Sequence, residues 1–315
     1  MTIRAGRPVA RGGVGTTASQ PSEGLSGSEI AAIVAIVVIW GINNAAAKVA
    51  TEVMPPLLVV GLRFSLAAVV LVPFLRFRVP DWKSLALLLV LGGPIHFGLI
   101  YVGYWLAEDL SPFVVAQQMW IPFTALISYV VLGERLPRMA VAGLIIAFVG
   151  VAWMTLDARA LRDAIPIILG LTAGLAWAGC TVLARRMQGV SPLTMQGLLA
   201  LVTAPTMLLG SWLFEDGQVA AMQASGLLVW ASVIWAGLVS SVSATALLFW
   251  LVQRRQAGRV TPYLLATPLV TVVIGVGLMG DVLTPQIMMG GTIALAGVGL
   301  VALAERRLRA GVGAS

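Results

Sequence analysis

Charge, cysteine and histidine are all scarce in this sequence. Asp, Glu, Lys and Arg together account for 10% of the 315 residues, whereas a typical soluble domain contains about 25%. Because 59% of the residues are apolar, a soluble fold would have too little polar surface to face water. The composition therefore predicts a helical membrane protein, with the lipid bilayer as its surroundings.

The scarce residue types also exclude several functions. The single cysteine, Cys180, cannot support a disulfide framework, and its apolar neighbours predict a small buried side chain. The glycine-rich loop of ATP-driven proteins is absent from the sequence, and we expect no cofactor or metal. An intramembrane serine hydrolase is disfavoured because His96 is the only histidine, so the sequence allows at most a dyad of this residue with a serine.

The net charge of +7 would suit a nucleic-acid partner if the basic residues formed a patch. They form short clusters between apolar segments instead, so we expect no nucleic-acid partner. With the N-terminus in the cytoplasm, sixteen of the twenty basic residues fall in cytoplasmic segments. Lys48, Arg159 and Arg162 fall outside, and Arg63 lies within an apolar segment. This bias predicts an inner-membrane protein with both termini cytoplasmic.

Apolar segments of roughly the 20 residues that span a bilayer recur along the whole chain. They predict an all-α membrane protein with ten transmembrane helices, separated by turn residues or charges. The ten predicted segments are 29–47, 55–75, 84–106, 112–132, 139–156, 165–184, 192–213, 226–251, 261–279 and 285–304.

Short motifs recur between the two halves of the chain. A Trp followed eight residues later by a basic residue occurs as Trp40 with Lys48 and again as Trp177 with Arg185. A shift of 147 residues relates three further pairs: Glu134 and Asp281, Gly143 and Gly290, and Gly150 and Gly297.

This recurrence predicts two repeats of five helices, at 29–156 and 157–305, between cytoplasmic tails at 1–28 and 306–315. The first tail is rich in Gly, Ser and Thr and is predicted to be disordered. It resembles the start of a signal peptide, but we predict that the first segment is retained because the repeat includes it.

The number of segments in each repeat sets their relation. Because five is odd, the second repeat enters the membrane from the side opposite to the first. Inverted repeats are typical of secondary transporters, which bind substrate near the midplane between the repeats. The pattern therefore predicts transport by alternating access, with a passive facilitator or channel as the alternative.

Five groups of residues also carry a family resemblance. They are Trp40 to Asn43 with Lys48; Met54 to Pro56 with Gly61 to Phe64; Gln117 or Gln118 with Pro122; Gly133 to Leu136 with Gly143 and Gly150; and Arg259 to Pro262 with Pro268. On these residues the chain resembles the EamA-type exporters of the drug/metabolite transporter superfamily, from the first segment to the tenth. The first two groups look most like the cysteine and O-acetylserine exporter branch.

The resemblance implies export of amino acids or similar small metabolites. Two positions depart from the usual family pattern: Asp281 stands where Glu is usually repeated, and Asn44 stands where an aromatic residue is common.

Polar residues inside apolar segments are the candidates for substrate contact. His96 follows Pro94, which should bend or unwind its helix. Its imidazole would serve as a substrate contact or a proton-sensitive gate, or as a neutral group bonded to a neighbouring helix. Arg63 would attract a substrate carboxylate or, as we favour, pair with Glu108 or Asp109.

Amides, aromatic rings and hydroxyl groups complete the predicted site. Amide groups suit a zwitterionic amino acid because they donate and accept hydrogen bonds, although they also bond between helices. Aromatic residues near the middle of a segment would line a cavity. The predicted substrate-binding residues are His96, Tyr101, Gln117, Trp120, Asn43, Asn44, Trp177, Ser243 and Tyr263.

Glycine-rich faces on the fifth and tenth segments suit close packing between helices, either within a monomer or between the subunits of a homodimer.

Overall fold

The structure is a computed structural model. The structure describes residues 25–76, 79, 81–107, 113, 116–134, 136–155, 164–274, 277 and 285–312. Glu108, Asp109 and Asp281, and most of the predicted N-terminal tail, lie outside these residues.

The described residues form helices and contain no β-strand. The α-helices, numbered in chain order, are α1 (Gly27–Thr51), α2 (Pro56–Leu71), α3 (Trp82–Val90), α4 (His96–Leu106), α5 (Trp120–Leu132), α6 (Arg138–Thr155), α7 (Ala164–Arg186), α8 (Pro192–Phe214), α9 (Gln218–Ala224), α10 (Leu227–Ile234), α11 (Thr245–Arg254), α12 (Ala257–Val260), α13 (Thr267–Ile274) and α14 (Pro285–Val312).

Within the described part of the chain, six continuous helical segments are long and apolar enough to cross a membrane. They are Gly27–Thr51, Pro56–Phe74, Trp82–Leu106, Ile165–Arg186, Pro192–Phe214 and Leu227–Arg254. Each of the other four predicted segments also overlaps a helix among the described residues. The chain is therefore a multi-pass membrane protein, and the total of ten crossings stays a prediction.

Local sequence signals explain several helix ends. Ser26 caps α1 by accepting a hydrogen bond from the backbone amide of Glu29 at 3.3 Å, and the Glu29 carboxylate accepts one from the Ser26 amide at 2.6 Å. Pro56 and Pro192 occupy the first turn of α2 and α8, where the missing amide proton has no helical partner to lose. Gly133 ends α5 with a positive φ of 66°.

The third and eighth predicted segments are interrupted by π-helical turns. Leu91–Ile95, which contains Pro94, joins α3 to α4, as the position of the proline predicted. Trp235–Ala244 joins α10 to α11 without any proline, so the sequence carried no comparable signal. Such π-helical turns often occur at functional sites.

The glycines of α6 and α14 allow the backbones of these two helices to touch. A Cβ atom on Gly150 would lie 2.7 Å from the carbonyl oxygen of Gly290, and one on Gly297 would lie 2.6 Å from that of Gly143. Because the earlier residue of α6 meets the later residue of α14, the two helices run antiparallel along this contact.

Other contacts join the two halves of the chain along their length. Helix α1 packs on α13, and α7 packs on α5; α2 packs on α8. At one end of the α2–α8 pair, Glu215 accepts hydrogen bonds from the backbone amides of Leu57 at 2.7 Å and Leu58 at 3.1 Å. The carboxylate thereby satisfies donors that the first turn of α2 leaves free.

Replacing Gly297 by Ala should destabilise the protein, whereas replacing Gly299 should not. The new methyl group would overlap α6 at position 297, while nothing lies within 4 Å of a Cβ at position 299. Overpacking typically costs about 1–3 kcal/mol. Thermal unfolding in detergent, followed by fluorescence-detected size exclusion, should show a lower melting temperature for Gly297→Ala alone. Equal melting temperatures for the two variants would contradict this packing.

Candidate functional site

A polar cavity lies where the two halves of the chain meet. Its volume, counted as space open to the centre of a water molecule, is about 70 Å³, several times the space that one water needs. Seven of the predicted site residues line it, namely Asn43, Asn44, His96, Tyr101, Gln117, Trp120 and Trp177. Trp40, which is not among the predicted site residues, lines it as well. The remaining lining residues include Arg63, Tyr104, Gln118, Ser240, Thr245 and Thr267.

Three tryptophans from three helices form an aromatic wall in this cavity. The Trp40 ring lies 6.2 Å from Trp120 and 6.2 Å from Trp177, edge to face in both pairs. The π-face of Trp177 stacks on the His96 imidazole with a centroid separation of 4.6 Å. Trp40 and Trp177, which share a position in the repeated motif, thus meet from opposite halves.

The π-helical turn before α4 places His96 against α7. Its Nδ1 atom lies 2.9 Å from the carbonyl oxygen of Ala173. Because a carbonyl only accepts, the imidazole carries a proton on Nδ1 and donates it to this bond. His96 therefore combines a hydrogen bond to a neighbouring helix with a place in the cavity lining.

Arg63 is buried, with 1% of its surface exposed. Its Nη1 donates to the Tyr101 hydroxyl at 2.6 Å, and its Nε and Nη2 donate to the Ser241 hydroxyl at 3.2 and 2.8 Å. The guanidinium also lies 4.9 Å from the ring centre of Phe97. Among the described residues no carboxylate pairs with it, and the acidic partners expected for it lie outside them.

Two of the predicted amides belong to a chain of hydrogen bonds between helices. Asn44 donates to the Thr271 hydroxyl at 3.1 Å, and its own carbonyl accepts from Tyr104 at 3.1 Å. The Tyr104 hydroxyl also lies 3.3 Å from Gln117 Oε1. Asn44 and Gln117 thus hold α1, α4 and α13 to the start of α5 while lining the cavity.

Three other lining residues each have a polar side-chain atom that makes no hydrogen bond within the described part of the chain. Asn43 Oδ1, Gln118 Nε2 and Thr267 Oγ1 are buried and have no hydrogen-bond partner among the described residues. A buried polar atom without a partner costs roughly 1–3 kcal/mol. All three residues line the cavity, where a polar ligand or water would supply the missing bonds.

Ser243 and Tyr263 lie outside the cavity lining. Ser243 is exposed on the outer side of the π-helical segment, while Ser240 lines the cavity and Ser241 holds Arg63. A π-helix places more residues in each turn than an α-helix, so the face that Ser243 occupies cannot be inferred from α-helical spacing. Tyr263 is half-buried against the hydrophobic core, beside Leu264, which does line the cavity.

Sequence reasoning did not select several residues that line the cavity. Gln118 carries the same amide as Gln117 but is not among the predicted binding residues, and for Arg63 the sequence favours an ion pair over a substrate carboxylate. Thr267 carried no signal, because a threonine in an apolar segment usually bonds to its own helix.

Nearly the whole chain is similar to known transport proteins. A model of the "EamA-like transporter family" matches residues 27–156 and 164–303, so its domain occurs twice. A protein of Salmonella typhimurium named a probable amino-acid metabolite efflux pump is 28% identical over 84% of this chain and 91% of its own length. A protein of Escherichia coli with the same name is 25% identical over 84% of this chain and 91% of its own length.

An archaeal relative and a solved structure extend the comparison. An uncharacterized transporter of Archaeoglobus fulgidus is 23% identical over 84% of this chain and 95% of its own length. One crystal structure, 18% identical in sequence, superposes with a TM-score of 0.71 and covers 89% of this chain and 99% of that chain. This likeness shows the fold alone. From the two family domains, the chain belongs to the EamA-like transporter family of the drug/metabolite transporter superfamily and is a membrane transporter, not an enzyme.

Proposed function

We propose that this protein is a secondary transporter that exports small polar metabolites, specifically amino acids, across the inner membrane by alternating access. The observation that carries the proposal is the polar cavity between the halves, to which both halves contribute side chains. Amide, hydroxyl and guanidinium groups suit the two charged ends of an amino acid. The names of the two bacterial relatives as amino-acid metabolite efflux pumps agree with this substrate class.

The proposal includes an inverted relation between the repeats 29–156 and 157–305. The motif shift of 147 residues takes Gly143 to Gly290 and Gly150 to Gly297. In the fold, Gly143 faces Gly297 and Gly150 faces Gly290. Equivalent residues therefore meet crosswise, as a two-fold relation between the repeats requires.

The packing of the remaining helices supports the same relation. In the predicted numbering, α1 begins the first repeat and α13 is the fourth segment of the second. Helix α7 begins the second repeat, and α5 is the fourth segment of the first. Helix α1 packs on α13 and α7 packs on α5, so this contact is made twice with the repeats exchanged. The π-helical turns in the third and eighth segments also correspond, because each interrupts the third segment of its own repeat.

Two ion pairs connect the repeats at one face of the bundle. Arg255 Nε lies 2.6 Å from Glu29 Oε1, and Arg185 Nε lies 3.1 Å from Glu134 Oε1. With the N-terminus in the cytoplasm, as the excess of basic residues there supports, both pairs lie on the cytoplasmic face. We infer that they hold this face closed and that they separate when the cavity opens inward.

Reconstituted protein should exchange amino acids with saturable kinetics. In proteoliposomes, radiolabelled amino acid outside should accumulate faster when the same unlabelled amino acid is trapped inside, because one binding site alternates between the two faces. A flux that rises linearly with concentration would indicate a passive channel instead, and no flux of any amino acid would contradict the proposal.

The same vesicles, assayed at several pH values, test whether transport is coupled to protons through His96. If His96→Gln transports with an unchanged pH dependence, coupling through this residue is excluded.

Replacing Asn43 by Leu should weaken transport without destabilising the fold, whereas Asn44→Leu should destabilise it. Asn43 Oδ1 has no partner to lose among the described residues, while Asn44 bonds to Thr271 and Tyr104. We expect a roughly tenfold higher KM for Asn43→Leu and a loss of about 1 kcal/mol of stability for Asn44→Leu. Counterflow kinetics and thermal unfolding measure the two effects. A strong loss of stability in Asn43→Leu would place its amide in the structural network.

Breaking the Glu29–Arg255 pair should open the cavity toward the cytoplasm. In a Cys180→Ala background, a cysteine replacing Ser240 reports access to the cavity by its rate of modification with a membrane-impermeant thiol reagent. Adding Glu29→Gln should raise this rate from the cytoplasmic side by about fivefold, since a pair of about 1 kcal/mol shifts a two-state equilibrium by that factor.

The matched control is Glu52→Gln. Glu52 pairs with Lys48 within α1 at 3.2 Å, so its loss should leave access to the cavity unchanged. A similar rise in both variants, or a rise from the opposite face, would contradict the assignment of Glu29 and Arg255 as a closure of the cytoplasmic face.

A further inference from the structure

The charge inside the cavity is of one sign. Among the described residues that line it, Arg63 carries a permanent charge, and none is an aspartate or glutamate. A guanidinium that is 1% exposed and has only neutral partners among the described residues leaves a positive potential in a region of low dielectric constant. An anionic group entering the cavity would complete the missing pair.

The hydrogen bonds of Arg63 leave part of the guanidinium available. Arginine has five N–H donors, and the described partners, Tyr101 and Ser241, take one each from Nε, Nη1 and Nη2. One donor on each of Nη1 and Nη2 therefore remains. Two terminal N–H groups in a fixed plane match the two oxygens of a carboxylate.

Neutral groups line the rest of the cavity. The Trp40 and Trp177 rings form one wall, and Asn43 Oδ1 offers a buried acceptor that has no partner among the described residues. These groups accommodate an amino group through a hydrogen bond and weak attraction to the aromatic faces. Because none of the described lining residues offers a negative charge to a cation, these groups contribute less to recognition than Arg63 does.

We propose that Arg63, oriented by Tyr101 and Ser241, is the carboxylate receptor of the cavity, so that its ligands must carry a free carboxylate. The site then accepts amino acids and rejects their carboxamides, which retain the amino group and side chain but lack the anion. This inference rests on the proposed transport function and adds to it the chemical group that the cavity selects.

The test compares amino acids with their own carboxamides. Purified protein is challenged with L-leucine and L-leucinamide, and with two further pairs, L-serine and L-serinamide, and L-phenylalanine and L-phenylalaninamide. Thermal stabilisation in detergent reports binding, and inhibition of amino-acid counterflow in proteoliposomes reports competition. For wild-type protein, we expect each recognised acid to be effective at concentrations at least about tenfold below those of its amide.

Variants then assign the discrimination to Arg63. Arg63→Gln should lose the preference for the acid, and Arg63→Lys should keep part of it, because the charge remains but the planar pair of donors is lost. Ser241→Ala should reduce the preference for the acid, so that the ratio of the effective concentrations of amide and acid falls by several-fold. Ser243→Ala is its matched control, since this hydroxyl lies two positions away on the exposed side, and should leave the ratio unchanged.

Each outcome bears on a different part of the proposal. A wild-type protein that transports amino acids but is equally inhibited by their amides would overturn the assignment of Arg63 and leave the transport function standing. A wild-type protein that moves no amino acid but is stabilised only by the acids would support the receptor and overturn the transport function. If Arg63→Gln does not fold, the ratio in wild type and in Ser241→Ala still decides the assignment; a folded Arg63→Gln that keeps the preference overturns it.

Discussion

A positive charge buried between helices is the constraint on which the interior of this protein depends. In the hydrocarbon region a guanidinium costs about 2.5–3.5 kcal/mol on insertion scales, so Arg63 must be enclosed by protein. Tyr101 from α4 and Ser241 from the π-helical turn before α11 reach it from both halves of the chain. The polar groups of the cavity gather around this charge, while the surfaces that face lipid remain apolar.

Close packing elsewhere makes that arrangement geometrically possible. The α6–α14 contact joins the halves through glycines whose backbones touch, which suits a bundle in which lipid offers no hydrophobic drive for helix association. The two π-helical turns interrupt the regular hydrogen bonding of the segments that border the cavity, and such turns often occur at functional sites.

The polar residues of the cavity form two groups: those that hydrogen-bond to other side chains, and those with a polar atom that has no partner among the described residues. Asn44, Tyr104 and Gln117 bond mainly to one another, and they set the distances between helices. Asn43 and Gln118 each have a buried polar atom without a partner in the described part of the chain, and such atoms favour a ligand because an unmade hydrogen bond costs free energy. Adjacent residues in the sequence, Asn43 with Asn44 and Gln117 with Gln118, thus fall into different groups.

By itself the sequence determined the class of protein, because composition and the length of apolar segments depend only on the bilayer. It also identified the repeated motifs and seven of the lining residues, since a polar or aromatic residue such as His96 or Trp177 within an apolar segment has few other uses. Only the tertiary structure decided which atoms of those residues are occupied. Whether Arg63 meets a carboxylate or the neutral Tyr101, and whether Ser241 or Ser243 faces inward, depends on helices far apart in the chain and on a π-helical turn with no proline to announce it. Hydrogen bonds between distant segments have no sequence period, so the chemistry of the cavity became visible only when the two halves were brought together.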